Sequence, residues 1–246
     1  MTPRFLLLLV LVARLCLAAP PNTLSSAEKR AGWTLLFDGS SLNGWMWSID
    51  PVPPTPSWEA ANGMLCATPG SGTPVYLLTR ESFGDYEFSF DFKVTEAGNS
   101  GVKYRFQGYI VQGKIVAQPG GTRRIEPFAL EYQITDDLAN RDALLSADRS
   151  TAALYGYFAP RKKTPVRPGL WHKGRIVARG LHLEHWLDGR KVLDLDLDKP
   201  EVHQAFLKTG RRWSEELASQ QTRLSPIALQ LHDGPACFRN VKLRRF

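Results

Sequence analysis

Tyr86-Glu87-Phe88-Ser89-Phe90-Asp91-Phe92-Lys93-Val94 alternates apolar and polar side chains without a break. Successive side chains of an extended chain leave on opposite sides, so the stretch offers one face to a core and the other to water, as a half-buried antiparallel strand does. Two hairpins lie to either side of it. Asn62-Gly63 separates Trp58-Glu59 from Met64-Leu65, and Asp188-Gly189 separates His182–Leu187 from Arg190–Leu195; both dipeptides favour the tight primed turns that match strand twist. Thr34 to Phe37, Val75 to Thr79, Gly174 to Ala178 and Phe238 to Leu243 add further strands. Helical signal is confined mainly to Pro200–Gln221, where Pro200 suits a first turn and Val202, Phe206 and Leu207 supply an apolar face before Gly210 interrupts it. By default such an insert caps a sheet edge; the alternative is a place bordering the functional face. Residues 136 to 152 have room for another short helix or a structured loop. Many short strands with turns between them predict an all-β fold, a two-sheet antiparallel β-sandwich of jelly-roll type with a short helical insert, with a closed barrel as the alternative.

At the N-terminus, Arg4, the apolar run Phe5–Val12 and the small residues Ala18 and Ala19 read as an export signal cleaved after Ala18, too short to span a bilayer stably. The expected organisation is a signal over 1–18, a leader over 19–32 and one sandwich domain over 33–246. The expected protein is soluble and exported, periplasmic or secreted, with no membrane span. Its formal charge of +7 falls to +5 when Arg4 and Arg14 leave with the signal. That charge is dispersed over Arg123-Arg124, Arg161-Lys162-Lys163, Arg211-Arg212 and Arg244-Arg245, which argues for solvated loop charge and against a nucleic-acid partner. Cys66 and Cys237 form one long-range bridge or stay as two buried thiols; neither has zinc-ligand spacing.

Three more stretches pair an apolar side with a polar one: Val102–Phe106, Phe128–Ile134 and Ile227–His232. Burying Val102, Tyr104, Phe106, Phe128, Leu130, Tyr132, Ile134, Ile227, Leu229 and Leu231 leaves Lys103, Arg105, Glu131, Gln133, Gln230 and His232 on the other side. If the three strands share a sheet, that side is a candidate active site.

The same segments resemble a known family. Trp33-Thr34-Leu35-Leu36-Phe37-Asp38-Gly39 opens the match, followed by Asn99-Ser100-Gly101-Val102-Lys103-Tyr104-Arg105, Glu131-Tyr132-Gln133-Ile134-Thr135-Asp136, Leu154-Tyr155-Gly156, Gly169-Leu170-Trp171-His172, His185-Trp186-Leu187-Asp188-Gly189 and Leu229-Gln230-Leu231-His232-Asp233-Gly234. In this order they resemble the 3-keto-disaccharide hydrolases, whose fold is similar to concanavalin A-like lectins and glucanases. The chain departs from that pattern at His172 and Asp188, where the family usually has Asn, and over Phe106–Pro127, which reads as an enlarged hairpin. The resemblance implies a carbohydrate substrate, a 3-keto-glycoside whose C3 hydroxyl another enzyme, a sugar 3-dehydrogenase, has already oxidised. The ketone acidifies the C2 proton; a base removes it, the enolate expels the C1 substituent, and water adds to the unsaturated product, giving net hydrolysis.

Such chemistry needs a base, a group to hold the enolate oxygen and an acid for the leaving group. Glu131 and His232 are the candidate acid–base pair, with the assignment between them open. Lys103 and Arg105 suit a developing oxyanion, Asn99, Gln133 and Gln230 can orient sugar hydroxyls, and Tyr155 can donate to the ketone or leaving oxygen. A divalent metal ion would find oxygen ligands at Asp136 and Asp137, although such residues more often cap helices and turns. His185 is in phase with Leu181, Leu183 and Leu187 and is expected in the core; Trp58, Trp171 and Trp186 are sheet or core residues before they are sugar platforms. The same scaffold would also serve a non-catalytic carbohydrate-binding module. Hydrolysis by two carboxylates fits less well, because Glu131 is the one evident acid on the expected face.

Overall fold

The computed structural model describes residues 19–48, 58–67, 75–111, 114–116, 126–208 and 224–246, without side-chain detail for 75, 107, 109–111, 114–116 and 126–128. The expected export signal, the proline-rich stretch Pro51-Val52-Pro53-Pro54-Thr55-Pro56 that the sequence reads as a rigid surface loop, the Phe128 side chain and the part of the helical insert beyond residue 208 lie outside that description. The described strands are β1 (Thr34–Leu35), β2 (Trp45–Trp47), β3 (Trp58–Ala61), β4 (Met64–Ala67), β5 (Val75–Thr79), β6 (Tyr86–Val94), β7 (Asn99–Val111), β8 (Lys114–Val116), β9 (Glu126–Thr135), β10 (His172–Arg179), β11 (His182–Leu187), β12 (Arg190–Asp196), β13 (Ala228–Asp233) and β14 (Ala236–Arg245). Helices are short: α1 (Ser26–Arg30), α2 (Arg141–Leu145), a 3-10 turn over Ala147–Arg149, and α3 (Pro200–Lys208).

All named pairings are antiparallel, and they sort into two sheets. The larger runs β12-β11-β10-β6-β14-β4-β3, with β1 added to β14; the smaller runs β2-β5-β13-β7-β8, with β9 also on β7. This is the two-sheet β-sandwich that the alternation predicts. β6 lies centrally, and its Phe88, Phe90 and Phe92 are fully buried against Val102, Tyr104, Leu130, Tyr132 and Leu229 of the smaller sheet. Phe90 and Tyr132 meet edge-on across the gap, ring centroids 5.5 Å apart. Both expected hairpin turns form, with Asn62 and Gly63 at φ 53° and 72° and Asp188 and Gly189 at 48° and 79°. Such left-handed pairs are the type I′ geometry.

Cys237 lies directly opposite Cys66 where β14 pairs β4, and the two are bridged. That resolves the alternatives left by sequence: a pair 171 residues apart becomes adjacent by register. α3 buries Val202 and Phe206, the latter edge-on to Tyr157 with centroids 4.6 Å apart. His172 and Asp188, which the sequence reading singles out together, touch each other, Nδ1 to Oδ2 at 2.8 Å, beside the β11–β12 turn.

Candidate functional site

Register places the expected side chains. One row across the smaller sheet reads Met46, Leu78, Ala228, Lys103, Glu131, and the next reads Tyr76, Gln230, Gly101, Gln133. With Val102, Leu130, Tyr132, Leu229 and Leu231 turned into the sandwich, these rows stand on the outer face. Asn99 lies one step further along, opposite Thr135 of β9 and Asp233 of β13. Lys103, Glu131, Gln133, Gln230 and Asn99 are thus brought together, and all are buried, none more than 9% exposed.

The centre of this cluster is Glu131. A Cβ built on Gly101 would meet Glu131 Oε1 at 2.4 Å, so the carboxylate lies back across β7 over a position that has no side chain to stop it. Its other oxygen is 4.0 Å from Lys103 Nζ, and that ammonium stands 4.9 Å from the centre of the Tyr76 ring. Around the pair, Gln230 Nε2 donates to the Tyr76 hydroxyl at 3.4 Å and Gln133 Nε2 to Asn99 Oδ1 at 3.3 Å. Gln133 Oε1 is buried with no protein hydrogen-bond partner. The face also has an apolar half in which Leu78, Phe106, Ala228 and Tyr76 pack with Met46 and Ala129.

Arg105 is a correction. Alternation from Lys103 sends it to the site face, but it takes a left-handed conformation, φ 53°, where the β7–β9 register shifts. The bulge exchanges the two neighbours: Phe106 joins the outer apolar cluster instead of the main core, and the Arg105 guanidinium reaches Asp85 and the Gly180 carbonyl, both at 3.0 Å. It ties the sandwich edge rather than facing Glu131.

His232 stands at the end of β13, where the register with β7 shifts, exposed and with Nδ1 2.9 Å from Asp233 Oδ2. It occupies the rim, not the cluster. Tyr155 belongs to a segment laid along β9: its amide donates to the Glu131 carbonyl at 3.0 Å, next to a bridge between Leu154 and Tyr132. Its hydroxyl donates to Asp142 Oδ2 of α2 at 2.7 Å, and Arg149 holds the same carboxylate at 3.2 Å. Asp136 and Asp137 serve the backbone, as their position behind a strand suggests. Asp136 accepts from the Ala97 and Leu138 amides, and Asp137 accepts from the Thr151 and Val166 amides and pairs with Lys163.

Tyr76 and Gly101 are the site residues the sequence reading missed as such. β5 is apolar on both faces, so alternation gives no sign that Tyr76 looks outward, and Gly101 acts only through a partner on the next strand. Trp58 is 1% exposed in the core, while Trp171 and Trp186 lie on the other sheet under Arg239 and Arg175, 4.1 and 3.7 Å from their ring centres. His185 is fully buried, as expected. Nδ1 faces the Ala152 carbonyl at 3.0 Å and Nε2 the Tyr104 hydroxyl at 2.7 Å, and burial pushes its pKa down to about 4. Among the described residues, ligand-capable groups converge at His182, Glu184 and Asp194 on the larger sheet. There Lys191 already holds both carboxylates, at 2.6 and 2.9 Å, and the Asp196 carboxylate raises the His182 pKa.

Residues 32–244 match the family described as the 3-keto-alpha-glucoside-1,2-lyase-like domain. The chain belongs to that family. This lyase-like domain is 26% identical over 249 aligned residues to a 3-keto-disaccharide hydrolase of Bacteroides thetaiotaomicron, covering 92% of this chain and 83% of that protein. Two crystal structures of Parabacteroides distasonis proteins, whose names propose glycosyl hydrolases, share the fold. One superimposes with a TM-score of 0.74 at 23% identity over 92% of this chain and 100% of the other, the second with 0.64 at 23% over 87% and 99%.

Proposed function

We propose that this chain is an exported carbohydrate-active enzyme that cleaves the glycosidic bond of 3-keto-glycosides, such as 3-keto-disaccharides, formed beforehand by a sugar 3-dehydrogenase. Family membership and the hydrolase name of the Bacteroides relative support the substrate class. The observation that carries the reading is the Glu131 carboxylate laid over Gly101 beside the Lys103 ammonium, on a face of neutral amides suited to hydroxyl groups. In this reading Glu131 takes the C2 proton and Lys103 holds the negative charge that moves onto the C3 oxygen. The C1–O bond then breaks, and the departing oxygen takes a proton from His232 at the rim or from solvent. The enolate returns to the C3 ketone as that bond breaks and a C1–C2 double bond forms; water then adds its oxygen to C1 and a proton to C2, giving the free 3-keto sugar. Gln133, through its unpartnered Oε1, and Gln230 and Asn99 orient the ring; Tyr155 lines the β9 side. Asp136 and Asp137, the oxygen ligands that the sequence offers a divalent metal ion, are committed to backbone amides and to Lys163.

The test is incubation with a chemically prepared 3-keto-glucoside and with the unoxidised glucoside in deuterated water. Release of the aglycone from the keto compound alone, with deuterium entering at C2, is expected. Binding without release would leave a carbohydrate-binding module, and cleavage of the unoxidised glycoside would indicate hydrolysis without the keto group.

A further inference from the structure

Of the polar side chains gathered around Glu131, the most deeply buried is also incompletely bonded. Gln133 is 1% exposed; its Nε2 donates to Asn99 Oδ1 at 3.3 Å, and its Oε1 is buried with no protein hydrogen-bond partner. A carbonyl oxygen kept dry and unbonded is unfavourable until a donor reaches it. The backbone holds the residue where it is, since the Gln133 amide donates to the Ala153 carbonyl at 3.2 Å and its carbonyl accepts from the Ala152 amide at 2.8 Å.

Register indicates which donor that is. Gln133 stands opposite Gly101 of β7 and, on its other side, beside Ala153 of the segment laid along β9, so neither neighbour in its row has a long side chain to fill the space next to the amide. Gly101 is also the residue over which the Glu131 carboxylate lies, with Oε1 2.4 Å from the built Cβ. Directly opposed residues have their Cβ positions about 5 Å apart, so a group held by Glu131 over Gly101 is one cross-strand step from the Gln133 side chain. Lys103 flanks the carboxylate from the next row, its Nζ 4.0 Å from Oε2. A pyranose ring whose C2 proton meets Glu131 carries oxygens on C3 and on C2 itself. With the C3 oxygen turned to Lys103, the C2 hydroxyl falls on the Gln133 side.

We infer, on the reading of Glu131 as the base, that Gln133 determines specificity by accepting a hydrogen bond from the C2 hydroxyl of the substrate, and that Asn99 is a positioning residue that holds the amide with its oxygen presented. The site then takes 3-keto-glycosides with an unsubstituted C2 hydroxyl and rejects 2-deoxy and 2-O-methyl sugars, which bring no donor. An amide oxygen only accepts, so it tells a hydroxyl from an ether. Gln133 moves no proton and bonds to no carbon; it turns the ring so that the C2 proton faces the carboxylate. Discrimination comes from the acceptor that stays buried and unbonded when the wrong sugar enters.

Initial rates of the parent and of Gln133→Met on phenyl 3-keto-glucoside and on its 2-deoxy analogue test this, because the 2-deoxy compound keeps a C2 proton and can still eliminate. The preference in kcat/KM for the 2-hydroxy compound should fall about tenfold or more in Gln133→Met, through loss on that compound, while urea unfolding shows the fold retained. Asn99→Leu should lose the same preference, and Asn99→Asp, which keeps an acceptor for Nε2, should keep most of it. An unchanged preference in Gln133→Met, or equal losses on both sugars, would overturn the proposal, since a side chain that only supports the site slows both alike. So would a parent that cleaves the 2-O-methyl compound as readily as the 2-hydroxy one. If Gln133→Met does not fold, Asn99→Leu carries the same comparison. Should the parent cleave neither keto compound, the catalytic reading fails and calorimetry decides the hydroxyl contact alone: methyl 3-keto-glucoside should bind the parent about tenfold more tightly than its 2-deoxy counterpart, with the difference erased in Gln133→Met. Equal binding of the two sugars, or none, would overturn it.

Discussion

Two sets of buried polar groups stand on the two sides of the smaller sheet, and they are satisfied to different degrees. Inside the sandwich, His185 uses both ring nitrogens, on Ala152 and Tyr104, and Tyr132 donates to the Trp186 carbonyl at 3.0 Å. On the outer face Gln133 keeps an unpartnered oxygen, the amide contacts are 3.3 and 3.4 Å, and the Lys103–Glu131 pair is held at 4.0 Å. Burying a polar group without a good partner costs about 1–3 kcal/mol. A histidine is the commoner catalyst, yet here the imidazole is sealed in the core with both nitrogens bonded, while the carboxylate stands on the outer face beside an ammonium and the unpartnered Gln133 oxygen.

Glu131→Gln should break the comparison most sharply. It keeps size and hydrogen bonding and removes the base, so turnover of a 3-keto-glucoside should fall by about a thousandfold or more while the denaturation midpoint stays put. Near-parental rates would take Glu131 out of the reaction. On the inner side the loss should be of stability instead. His185→Leu leaves the Tyr104 hydroxyl buried without its acceptor and should cost about 2–4 kcal/mol in urea unfolding.

The same histidine gives a pH signature whose sign is fixed. Its pKa is about 4 in the fold against an ordinary 6.5, so between those values the unfolded chain binds a proton that the folded chain refuses. Stability is therefore full above about pH 6.5 and declines as pH falls toward 4, by about 3 kcal/mol in all. Unfolding of His185→Leu followed over that window should show a shallower decline than the parent; an identical slope would assign the acid sensitivity to other groups.

Much of this contrast was legible in the sequence. Strict alternation over Tyr86–Val94 gave the sandwich, and phase alone put His185 inside and Lys103, Glu131, Gln133 and Gln230 outside together. What escaped was information held between strands rather than along them. The bulge that exchanges Arg105 with Phe106 rests on an arginine with positive φ, a position where glycine or asparagine would be the usual sign, and Gly108 stands only at its far end. His232 keeps its place in the pattern, but the shift at Leu231 and Asp233 leaves it on the rim. The Cys66–Cys237 bridge needed the β4–β14 register.

Gly101 tests how closely the site depends on that cross-strand geometry. An alanine methyl at 101 would have to displace the Glu131 carboxylate from its resting place, since the built Cβ comes within 2.4 Å of Oε1. Turnover of Gly101→Ala should fall by about ten- to a hundredfold through mispositioning of the base, with little change in stability because the strand has ordinary backbone angles there. Full activity would mean that the carboxylate can work from elsewhere.

The smallest effect separates Arg105 from Lys103, two cations a single residue apart that the strand pattern treats alike. Arg105→Gln loses the Asp85 ion pair and the bond to Gly180 at the sandwich edge, and should lower stability by about 1–3 kcal/mol without changing the rate on a 3-keto-glucoside. Lys103→Gln should do the reverse, slowing turnover while the fold holds, because its ammonium stands by Glu131 on the outer face. Measuring both variants by urea unfolding and by initial rates gives four numbers, and only the crossed pattern agrees with the bulge. If Arg105→Gln slows the reaction as much as Lys103→Gln does, the guanidinium reaches the outer face during turnover and the exchange with Phe106 is not fixed in the working protein.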